Sequence, residues 1–425
     1  MKPSGIEWIG DIPDDWEVIK TKFLFNVYGG STPKVNVSEY WGDKITWITP
    51  GELGDDIKIV LNSKRMLSEK GLNSCGATLV SKGSIIISNR APIGQVCLAG
   101  SELCTNQGCK SLVAKIKLSC LFFYYFFKVQ SEVLNMLGNG TTFMELSTSD
   151  LLNFKIPFPT IKEQQKIADY LDEKCGEIDA TIAKQKESIE KLKAYKQSLI
   201  SETVTKGLDK SAPLKPSGID YLGDIPSHWE IKKLKFVANF NQNTLPEDTD
   251  GQFELKYIDI GNVSSVDGIK EIQYFNFSNA PSRARRIVKY GDIIVSTVRT
   301  YLRAITSIKE DYDNCICSTG FAVITPKDNV QQDFVVYAIE NESFIAQIIA
   351  NSQGISYPAI NVSQLENLKL AFPSVKEQKE IVDFLKTKLL EIDLTINKKQ
   401  NIIQKLDAYK KSLIFECITG KHKIY

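Results

Sequence analysis

The stretch KPSGIEWIGDIPDDWEV, residues 2–18, returns later in the chain as KPSGIDYLGDIPSHWEI, residues 215–231. Extended to 19 positions, the two copies are identical at 12, with a constant offset of 213. Two further pairs recur at an offset of 214: FPTIKEQ and FPSVKEQ, from residues 158 and 372, and KLKAYKQSLI and KLDAYKKSLI, from residues 191 and 405. Solenoid repeats have periods of about 20–50 residues, so this repeat is a duplication of whole domains.

The composition is that of an ordinary soluble globular protein. Of the 425 residues, 43% are hydrophobic and 24% are charged, and the formal net charge is +1. This length predicts at least two domains. A nearly neutral chain has no global field that attracts a polyanion, so a nucleic-acid site would need a local basic patch. The first residues lack a signal-peptide pattern, and the most apolar run, residues 121–127, is too short to cross a membrane. We therefore expect a cytoplasmic protein.

Between the repeated segments the two halves diverge but keep a similar pattern. Short runs rich in Ile, Val and Thr predict strands, among them KITWIT and SIIIS in the first half and LKYIDI and DIIVSTV in the second. Residues 119–137 and 333–351 each predict one helix packed on these strands. The predicted fold class is α+β, with two mixed α/β globules of about 155 residues, each a suitable size for one core.

A long helix is predicted after each globule. From Ile161 to Val204 the sequence has no proline and one glycine, and apolar residues recur with heptad spacing. The second copy repeats this pattern, and one row is interrupted in each copy, at Gln185 and at Lys399. Heptads of this length predict an antiparallel coiled coil and an internal pseudo-twofold repeat. An amphipathic helix lying on its own globule is the alternative interpretation. The predicted coiled-coil residues are Leu171, Ile178, Ile182, Ile189, Leu192, Leu199, Leu385, Leu389, Ile392, Ile396, Ile403, Leu406 and Leu413.

All seven arginines lie in the divergent globules, whereas the lysines are spread through the whole chain. Arginine presents a planar fork of donors that matches guanine edges and phosphates. Polar residues in the glycine-containing loops GGSTPK, GNGTTF and SQGISYP are further candidates for contacts with bases or phosphates. For any one of these residues, a solvated loop or a turn that bonds its own backbone is the alternative. The candidate DNA-binding residues are Ser31, Thr32, Lys34, Arg65, Arg90, Thr141, Thr142, Arg283, Arg285, Arg286, Arg299, Tyr301, Arg303, Gln353, Ser356 and Tyr357.

The sequence offers few groups for catalysis. Nine cysteines are scattered without a framework. The closest pairs, Cys104 with Cys109 and Cys315 with Cys317, lack the second pair that a zinc site requires. The chain has two histidines, and it contains neither a phosphate loop nor a dinucleotide-binding fingerprint. We therefore predict no metal site and no catalytic residue.

The motif GDIP..WE stands before each globule, and FP..KEQ stands before each long helix. In this arrangement the chain resembles the specificity (S) subunit of type I restriction-modification systems, over essentially its whole length. The resemblance implies target-recognition domains at residues 1–157 and 211–371 and conserved helical regions at residues 158–210 and 372–425. It also implies that each target-recognition domain reads one half of a bipartite, asymmetric site in double-stranded DNA, while the helices set the spacing between the halves.

The same resemblance implies the partners. Two modification subunits would dock on the helices, carry S-adenosylmethionine and methylate adenine, and restriction subunits would add ATP-driven translocation and cleavage. The specificity subunit itself would hold no cofactor and no catalytic residue, and it would not contact a membrane. The alternative function is a two-lobed coiled-coil adaptor that joins proteins without DNA specificity. An adaptor leaves unexplained why the arginines are confined to the globules.

Overall fold

The computed structural model describes residues 1–54, 57–138, 144–264, 268–354 and 357–424. The chain divides into two units. Unit 1 comprises residues 1–186 and 400–425, and unit 2 comprises residues 187–399. Unit 1 is therefore built from two separate stretches of the chain, whereas unit 2 is one continuous stretch. Within the described ranges, no helix is both long and apolar enough to span a membrane.

The strands of unit 1 form two small sheets and two isolated pairs. They are β1 (Lys2–Pro3), β2 (Asp11–Ile12), β3 (Glu17–Lys20), β4 (Phe25–Gly29), β5 (Trp41–Gly42), β6 (Ile45–Ile48), β7 (Ile59–Val60), β8 (Met66–Leu67), β9 (Ile85–Ser88), β10 (Val96–Ala99), β11 (Leu103–Thr105), β12 (Cys109–Ala114) and β13 (Lys155–Phe158). The sheet orders are β4-β12-β9-β10-β7 and β11-β6-β8-β5, and the pairs are β1-β2 and β3-β13. The central strand β9 is buried at all four positions, which accounts for its continuous apolar sequence.

The helices of unit 1 correct one prediction. They are α1 (Thr21–Leu24), α2 (Glu69–Asn73), α3 (Cys120–Val129), α4 (Ser131–Met136) and α5 (Thr148–Asn153). The single helix predicted over residues 119–137 is wrong, because the chain leaves helical geometry at Gln130, with φ −96° and ψ 9°. Gly94, in the turn between β9 and β10, packs directly against the Ser131 backbone at this point. A tertiary contact of this kind cannot be predicted from the periodicity of the sequence.

The first long helix, α6, runs over Ile161–Lys206 and has 46 residues. Thr160 and Glu163 fix its start. The Thr160 N–H and hydroxyl donate to the Glu163 carboxylate at 3.0 and 2.7 Å, and the Glu163 N–H donates to the Thr160 hydroxyl at 3.4 Å. This reciprocal pair is a capping box, which satisfies donors that would otherwise lack partners at a helix start. Residues 161–186 of α6 belong to unit 1, and residues 187–206 belong to unit 2.

The strands of unit 2 follow an order similar to those of unit 1, but they form different sheets. Its strands are β14 (Leu214–Pro216), β15 (Asp224–Pro226), β16 (Glu230–Lys233), β17 (Ala238–Phe240), β18 (Glu254–Ile258), β19 (Val263–Ser264), β20 (Gly268–Ile269), β21 (Gln273–Asn276), β22 (Ala284–Ile287), β23 (Ile293–Ser296), β24 (Ile305–Ser307), β25 (Ile316–Ser318), β26 (Phe321–Pro326) and β27 (Lys369–Phe372). The sheet orders are β17-β26-β23-β24 and β21-β18-β25-β22, and the pairs are β14-β15, β16-β27 and β19-β20. The predicted strands LKYIDI and DIIVSTV correspond to β18 and β23.

The helices of unit 2 show a second break. They are α7 (Leu234–Val237), α8 (Gln332–Glu340), α9 (Glu342–Ala350) and α10 (Val362–Asn367). The single helix predicted over residues 333–351 is wrong, because Asn341 is extended, with φ −69° and ψ 143°. Its side-chain oxygen accepts the Ser343 N–H at 2.8 Å and so caps α9. An asparagine that bonds the backbone in this way favours a helix start over a helix interior.

The second long helix, α11, runs over Val375–Ile418 and pairs with α6 inside each unit. In unit 1 the Lys410 ammonium lies 2.5 Å from an Asp179 carboxylate oxygen. In unit 2 the Lys196 ammonium lies 2.7 Å from an Asp393 carboxylate oxygen. The two lysines are 214 residues apart, as are the two aspartates, so the ion pair between the helices is duplicated with the repeat.

The direction of the pairing follows from unit 1. Besides the contact of Asp179 with Lys410, the Tyr170 ring stacks on His422, which follows α11, with 5.7 Å between ring centroids. Residue numbers therefore rise along α6 while they fall along α11. This order confirms the predicted antiparallel pair.

The predicted seam residues are mostly buried. The buried ones are Leu171, Ile178, Ile182, Ile189, Leu385, Leu389, Ile392, Ile396 and Leu413, and the half-buried ones are Leu192, Leu199, Ile403 and Leu406. In unit 1 the seam residues join one apolar core with the aromatic side chains of α3. In unit 2 only Leu199, Leu385 and Leu389 join the core formed with α8 and α9. The long helices therefore pair with each other and also cover the globules, so both interpretations of the heptads describe part of the packing.

The repeated opening segments and the repeated helix starts contact each other. In unit 1 the Trp16 indole N–H donates to the Glu163 carboxylate at 3.5 Å. In unit 2 the Trp229 indole N–H donates to the Glu377 carboxylate at 3.0 Å. Each tryptophan is buried, and each glutamate stands in the first turn of a long helix. The two sequence signatures recur together because they form the two sides of one contact.

Glu340, half-buried at the end of α8, should make the stability of unit 2 depend on pH. Burial raises the pKa of this carboxyl to about 7, against a smaller opposite effect of Lys196. A folded-state pKa above the unfolded value gives stability that is lost as pH rises through the folded pKa. Between pH 5 and pH 8 we expect the free energy of unfolding of the unchanged protein to fall by an amount on the order of 1–3 kcal/mol, and we expect Glu340→Gln to abolish this fall. Urea unfolding at a series of pH values measures this, with the exposed Glu254→Gln as the matched control. An unchanged pH profile in Glu340→Gln would contradict the assignment.

Candidate nucleic-acid interface

In unit 1 the loop GGSTPK, residues 29–34, lies against the turn that follows β11. The Thr32 hydroxyl donates to the Gln107 side-chain oxygen at 2.5 Å. Gly30 is required here, because a Cβ at this position would overlap the Asn106 carbonyl oxygen. Lys34 is exposed at the end of the loop. The loop backbone is therefore fixed by the turn.

Arg65 is connected to the GGSTPK loop through the side chains of two tryptophans. The Trp47 indole N–H donates to the Ser31 carbonyl at 2.9 Å, and the Trp47 ring meets Trp41 edge to face, with 5.2 Å between centroids. The Arg65 guanidinium lies over the Trp41 ring at 3.4 Å from its centroid. A cation–π contact of this kind contributes about 0.5–2 kcal/mol. It holds the plane of the guanidinium close to the ring and leaves its edges accessible.

Arg90, two residues after the end of β9, belongs to the same group. Its Nε and Nη2 donate to one Glu145 carboxylate oxygen at 3.2 and 3.1 Å, and the Asn89 amide donates to the other oxygen at 2.8 Å. The Asn89 N–H donates to the Gly108 carbonyl at 2.9 Å. Arg90 therefore stands beside the turn that holds the GGSTPK loop.

Unit 2 uses the same backbone scaffold at the corresponding position. The Thr297 N–H donates to the Gly320 carbonyl at 2.8 Å, and the Thr297 carbonyl accepts the Ile360 N–H at 2.9 Å. The corresponding bonds of unit 1 join Asn89 to Gly108 and to Leu146, both at 2.9 Å. The duplicated chain thus keeps the bonds that support the loops, while the side chains on these loops differ.

Arg299 and Arg303 flank a short turn after β23. Both have φ of +52°, a left-handed conformation that costs roughly 1–3 kcal/mol for a residue with a Cβ. The Arg299 guanidinium lies 5.1 Å from the Tyr357 ring centroid, and an Arg303 nitrogen contacts the Glu342 carboxylate at 2.5 Å. Strained backbone of this kind persists where the surrounding structure fixes the loop.

Residues 352–354 and 357–358 of the SQGISYP segment pack beside this turn. The Gln353 and Ala359 backbones exchange two hydrogen bonds, at 2.8 and 2.9 Å, and the Thr300 and Ser352 hydroxyls lie 2.9 Å apart. Tyr301, at the tip of the turn, is 53% exposed. The candidates of this part of unit 2 therefore form one exposed group.

The arginines of the run SRARR lie at and on strand β22 and not in a solvated loop. Arg283 pairs with Asp259 at 2.8 Å, and the Arg285 guanidinium lies 4.6 Å from the Phe277 ring centroid. Arg285 and Arg286 are both half-buried, and Arg286 differs because its Nε is buried without a hydrogen-bond partner. Burial lowers the pKa of Arg286.

The structure brings most candidates together within each unit. The N–H of Thr319, next to Gly320, donates to the Arg283 carbonyl at 2.8 Å, which links β22 to the Arg299 turn. Thr141, Thr142 and Ser356 lie outside the described residues. The partners of the arginines were missed from sequence: Glu145, Asp259, Glu342, Trp41 and Phe277. Except for Phe277, which is eight residues from Arg285, they are 24 or more residues from their arginines, and no local pattern marks them.

The cysteine pairs show no sign of metal chemistry. Cys104, Cys109, Cys315 and Cys317 are free and buried. Burial raises the pKa of Cys104 and of Cys317 to about 12, so both thiols are neutral. In the part of the chain that the structure describes, no group of three His, Cys, Asp or Glu side chains could hold a metal ion.

Two repeated α/β units with unlike arginine-bearing loops, joined to a pair of antiparallel helices, define a two-part recognition protein. The family model of the type I restriction modification DNA specificity domain matches residues 13–193 and again residues 226–405. The chain belongs to this family of type I specificity subunits.

Similar proteins agree with this assignment. The specificity subunit of type I restriction enzyme MjaIX from Methanocaldococcus jannaschii is 28% identical, over 86% of this chain and 84% of the relative. The MjaVIII specificity subunit of the same organism is 24% identical, over 97% and 94%. A solved chain from a study of complex assembly and conformational transition of the type I R-M system matches with a TM-score of 0.72 at 14% identity, covering 97% of this chain and all of that one. The HsdS subunit from Thermoanaerobacter tengcongensis matches with a TM-score of 0.56. These two likenesses show the fold.

Gly30→Ala should destabilise unit 1, because the added methyl group must displace the backbone of the turn after β11. Overpacking of this kind costs about 1–3 kcal/mol. Thermal unfolding of the full chain measures the loss. Gly51→Ala is the matched control, since its Cβ would meet no atom within 4 Å. Equal unfolding temperatures for the two variants would show that the loop is not fixed by the turn.

Proposed function

We propose that this protein is the DNA sequence-recognition subunit of a type I restriction-modification complex, which binds a bipartite, asymmetric site. One observation carries the proposal: the DNA specificity domain matches the chain twice, and each match contains one group of arginine-bearing loops. Two unlike loop groups on one repeated scaffold suit two unlike half-sites. Base edges are read by side chains, so a conserved scaffold with exchanged side chains gives a new target sequence.

The distribution of charge supports this function. The net charge is +1, and the long helices contain no arginine. Arginines occur beside the turn after β11 in unit 1 and around β22 and β23 in unit 2. A nearly neutral protein with local arginine groups binds DNA through those groups and not through a general attraction.

We further propose that the long helices dock two modification subunits. Leu390 and Leu394 of α11 are 61% and 51% exposed and stand one helical turn apart, so they form an apolar ridge. Exposed pairs of large apolar residues are typical of protein contact surfaces. The positions 214 residues earlier, on α6, are Gly176 and Ala180. The two docking surfaces therefore have different shapes.

The partner subunits would supply the chemistry. In the proposed complex the modification subunits hold S-adenosylmethionine, restriction subunits where present hold ATP, and this chain contributes recognition without catalysis. We expect the complex in the cytoplasm, where it meets cellular and incoming DNA.

Salt dependence separates DNA reading from an adaptor role. We expect the complex with its modification subunits to lose DNA affinity steeply between 50 and 200 mM salt, because contacts with phosphates release counterions. Fluorescence anisotropy with a labelled duplex that contains the methylated site measures this, with a scrambled duplex as the control. A DNA affinity that does not change with salt, or that shows no preference for the cognate duplex, would favour the adaptor.

The helices should set the length of the spacer between the half-sites. Thr203 and Val204 are buried, so an insertion there would disturb unit 2. One heptad inserted after Lys186 and one after Lys399 would lengthen both helices and keep the seam in phase. Seven residues add about 10 Å, so the spacer should grow by roughly 3 base pairs. Long-read mapping of methylated adenines measures the spacer. Insertions of four residues, which break the heptad phase, are the control. An unchanged spacer after the heptad insertions would show that the helices do not set the distance between the half-sites.

A further inference from the structure

Arg90 is held by one edge of its guanidinium. Its Nε and Nη2 donate to the same Glu145 oxygen at 3.2 and 3.1 Å. The other Glu145 oxygen accepts the Asn89 amide at 2.8 Å, so the carboxylate is itself fixed. The Arg90 and Glu145 backbones also form a β-bridge. The side chain of Arg90 is therefore oriented by groups of its own unit.

The remaining donors of Arg90 suit a guanine. A guanidinium has five N–H groups, and the contact with Glu145 uses the Nε–H and one Nη2–H. One Nη2–H and both Nη1–H groups remain, which gives a pair of parallel donors at the end of the side chain. The Arg90 side chain is 47% exposed, so this end is accessible. Two parallel donors match O6 and N7 of guanine in the major groove.

Arg283 of unit 2 is held in the same way by different residues. Its Nε donates to the Tyr257 hydroxyl at 3.2 Å, and its Nη2 donates to the Asp259 carboxylate at 2.8 Å. The Tyr257 hydroxyl donates to the same Asp259 oxygen at 3.1 Å, and the Gly261 N–H donates to the other oxygen at 3.0 Å. The Arg283 side chain is 56% exposed. The same edge of the guanidinium is occupied as in Arg90, and the same end remains accessible.

The charges around Arg283 agree with a permanent contact. The hydrogen bond with Tyr257 and the charge of Asp259 raise the pKa of Arg283. Burial raises the pKa of Asp259, but the hydrogen bonds from Gly261 and Tyr257 and the charge of Arg283 outweigh it, so the pKa of Asp259 is lowered. The carboxylate therefore stays ionised and keeps the guanidinium in place.

The other five arginines lack this arrangement. Three of them lie over aromatic rings: Arg65, Arg285 and Arg299. A ring fixes the plane of a guanidinium but not its rotation within that plane. Arg285 has one further bond, from Nη1 to the Ala284 carbonyl at 2.9 Å, which occupies the end of the side chain that a guanine would need. Arg303 contacts Glu342 through one terminal nitrogen, and Arg286 is half-buried. These five are suited to phosphates, which accept donors from many directions.

We propose that Arg90 and Arg283 each read one guanine, one in each half of the bipartite site, and that Glu145 and Asp259 are positioning residues that aim them. This inference rests on the proposed function and adds to it the base that each unit recognises. It predicts at least one G·C pair in each half-site, at a position that depends on one arginine.

The test uses the complex reconstituted with its modification subunits and the site obtained from methylation mapping. Duplexes that replace each G·C pair of the site in turn give the discrimination at each position. We expect Arg90→Lys to lower discrimination about 5- to 150-fold at one G·C pair of one half-site, because lysine keeps the charge but loses the fork. Arg283→Lys should do the same in the other half-site, and the salt dependence of binding should be unchanged in both variants.

The positioning role has its own readout. We expect Glu145→Ala and Asp259→Ala to lower discrimination at the same base pairs as the respective arginine variants. Affinity for unrelated DNA should be equal or greater, because a negative charge is removed. Glu145→Gln and Asp259→Asn replace any alanine variant that does not fold. Glu230→Ala is the matched control, since it removes an exposed carboxylate that pairs with Lys232 at 2.9 Å, outside the arginine-bearing loops, and should leave base preference unchanged.

The outcomes separate this inference from the function on which it rests. A complex that shows no sequence preference at all would overturn the proposed function. Specific binding with a half-site that lacks a G·C pair, or with discrimination unchanged in the variants of Arg90 or Arg283, would overturn the inference alone. An equal loss of discrimination at every position would identify that arginine as a phosphate contact and would also overturn the inference.

Discussion

The antiparallel contact between α6 and α11 is the constraint on which the rest of the structure depends. Each unit contains one part of each long helix, and an ion pair between lysine and aspartate recurs in both units. The same helices supply apolar side chains to the cores of the globules. A globule deprived of either helix would expose a large apolar surface to water, and burial of such surface is the main source of folding free energy. Neither copy of the duplicated sequence is therefore a complete structural unit.

Duplication explains which features are shared and which differ. The tryptophan–glutamate contact at the start of each long helix and the backbone bonds around Asn89 and Thr297 occur in both units. The surroundings of the arginines do not. Arg90 meets a carboxylate and Arg299 meets a tyrosine ring, although both follow the same strand of the repeat. A backbone supported by its own hydrogen bonds tolerates exchange of exposed side chains, so recognition can change while the scaffold is kept.

The parts of the fold that could be predicted are those with a periodic or repeated signal. The heptads predicted α6 and α11, and the alternation of apolar runs and turns predicted strands such as β9 and β23. The breaks at Gln130 and Asn341 could not be predicted from period, because one depends on a tertiary contact with Gly94 and the other on a side-chain cap. The arginines of the candidate site were visible in the sequence, but their partners were not. Glu145 is 55 residues from Arg90, and only the folded chain brings the two side chains together.

The discontinuous make-up of unit 1 has a consequence for biosynthesis. Unit 2 is one uninterrupted stretch, residues 187–399, whereas unit 1 needs residues from 400 onwards to close its core. A chain that leaves the ribosome from its N-terminus can complete unit 2 while the earlier-made part of unit 1 still waits for the last segment of α11. Folded unit 2 already holds α6 and α11 side by side through Lys196 and Asp393, so the entropy of bringing the two stretches of unit 1 together is largely lost beforehand. We therefore expect unit 2 to fold before unit 1, which is the reverse of the usual order, in which the domain made first folds first.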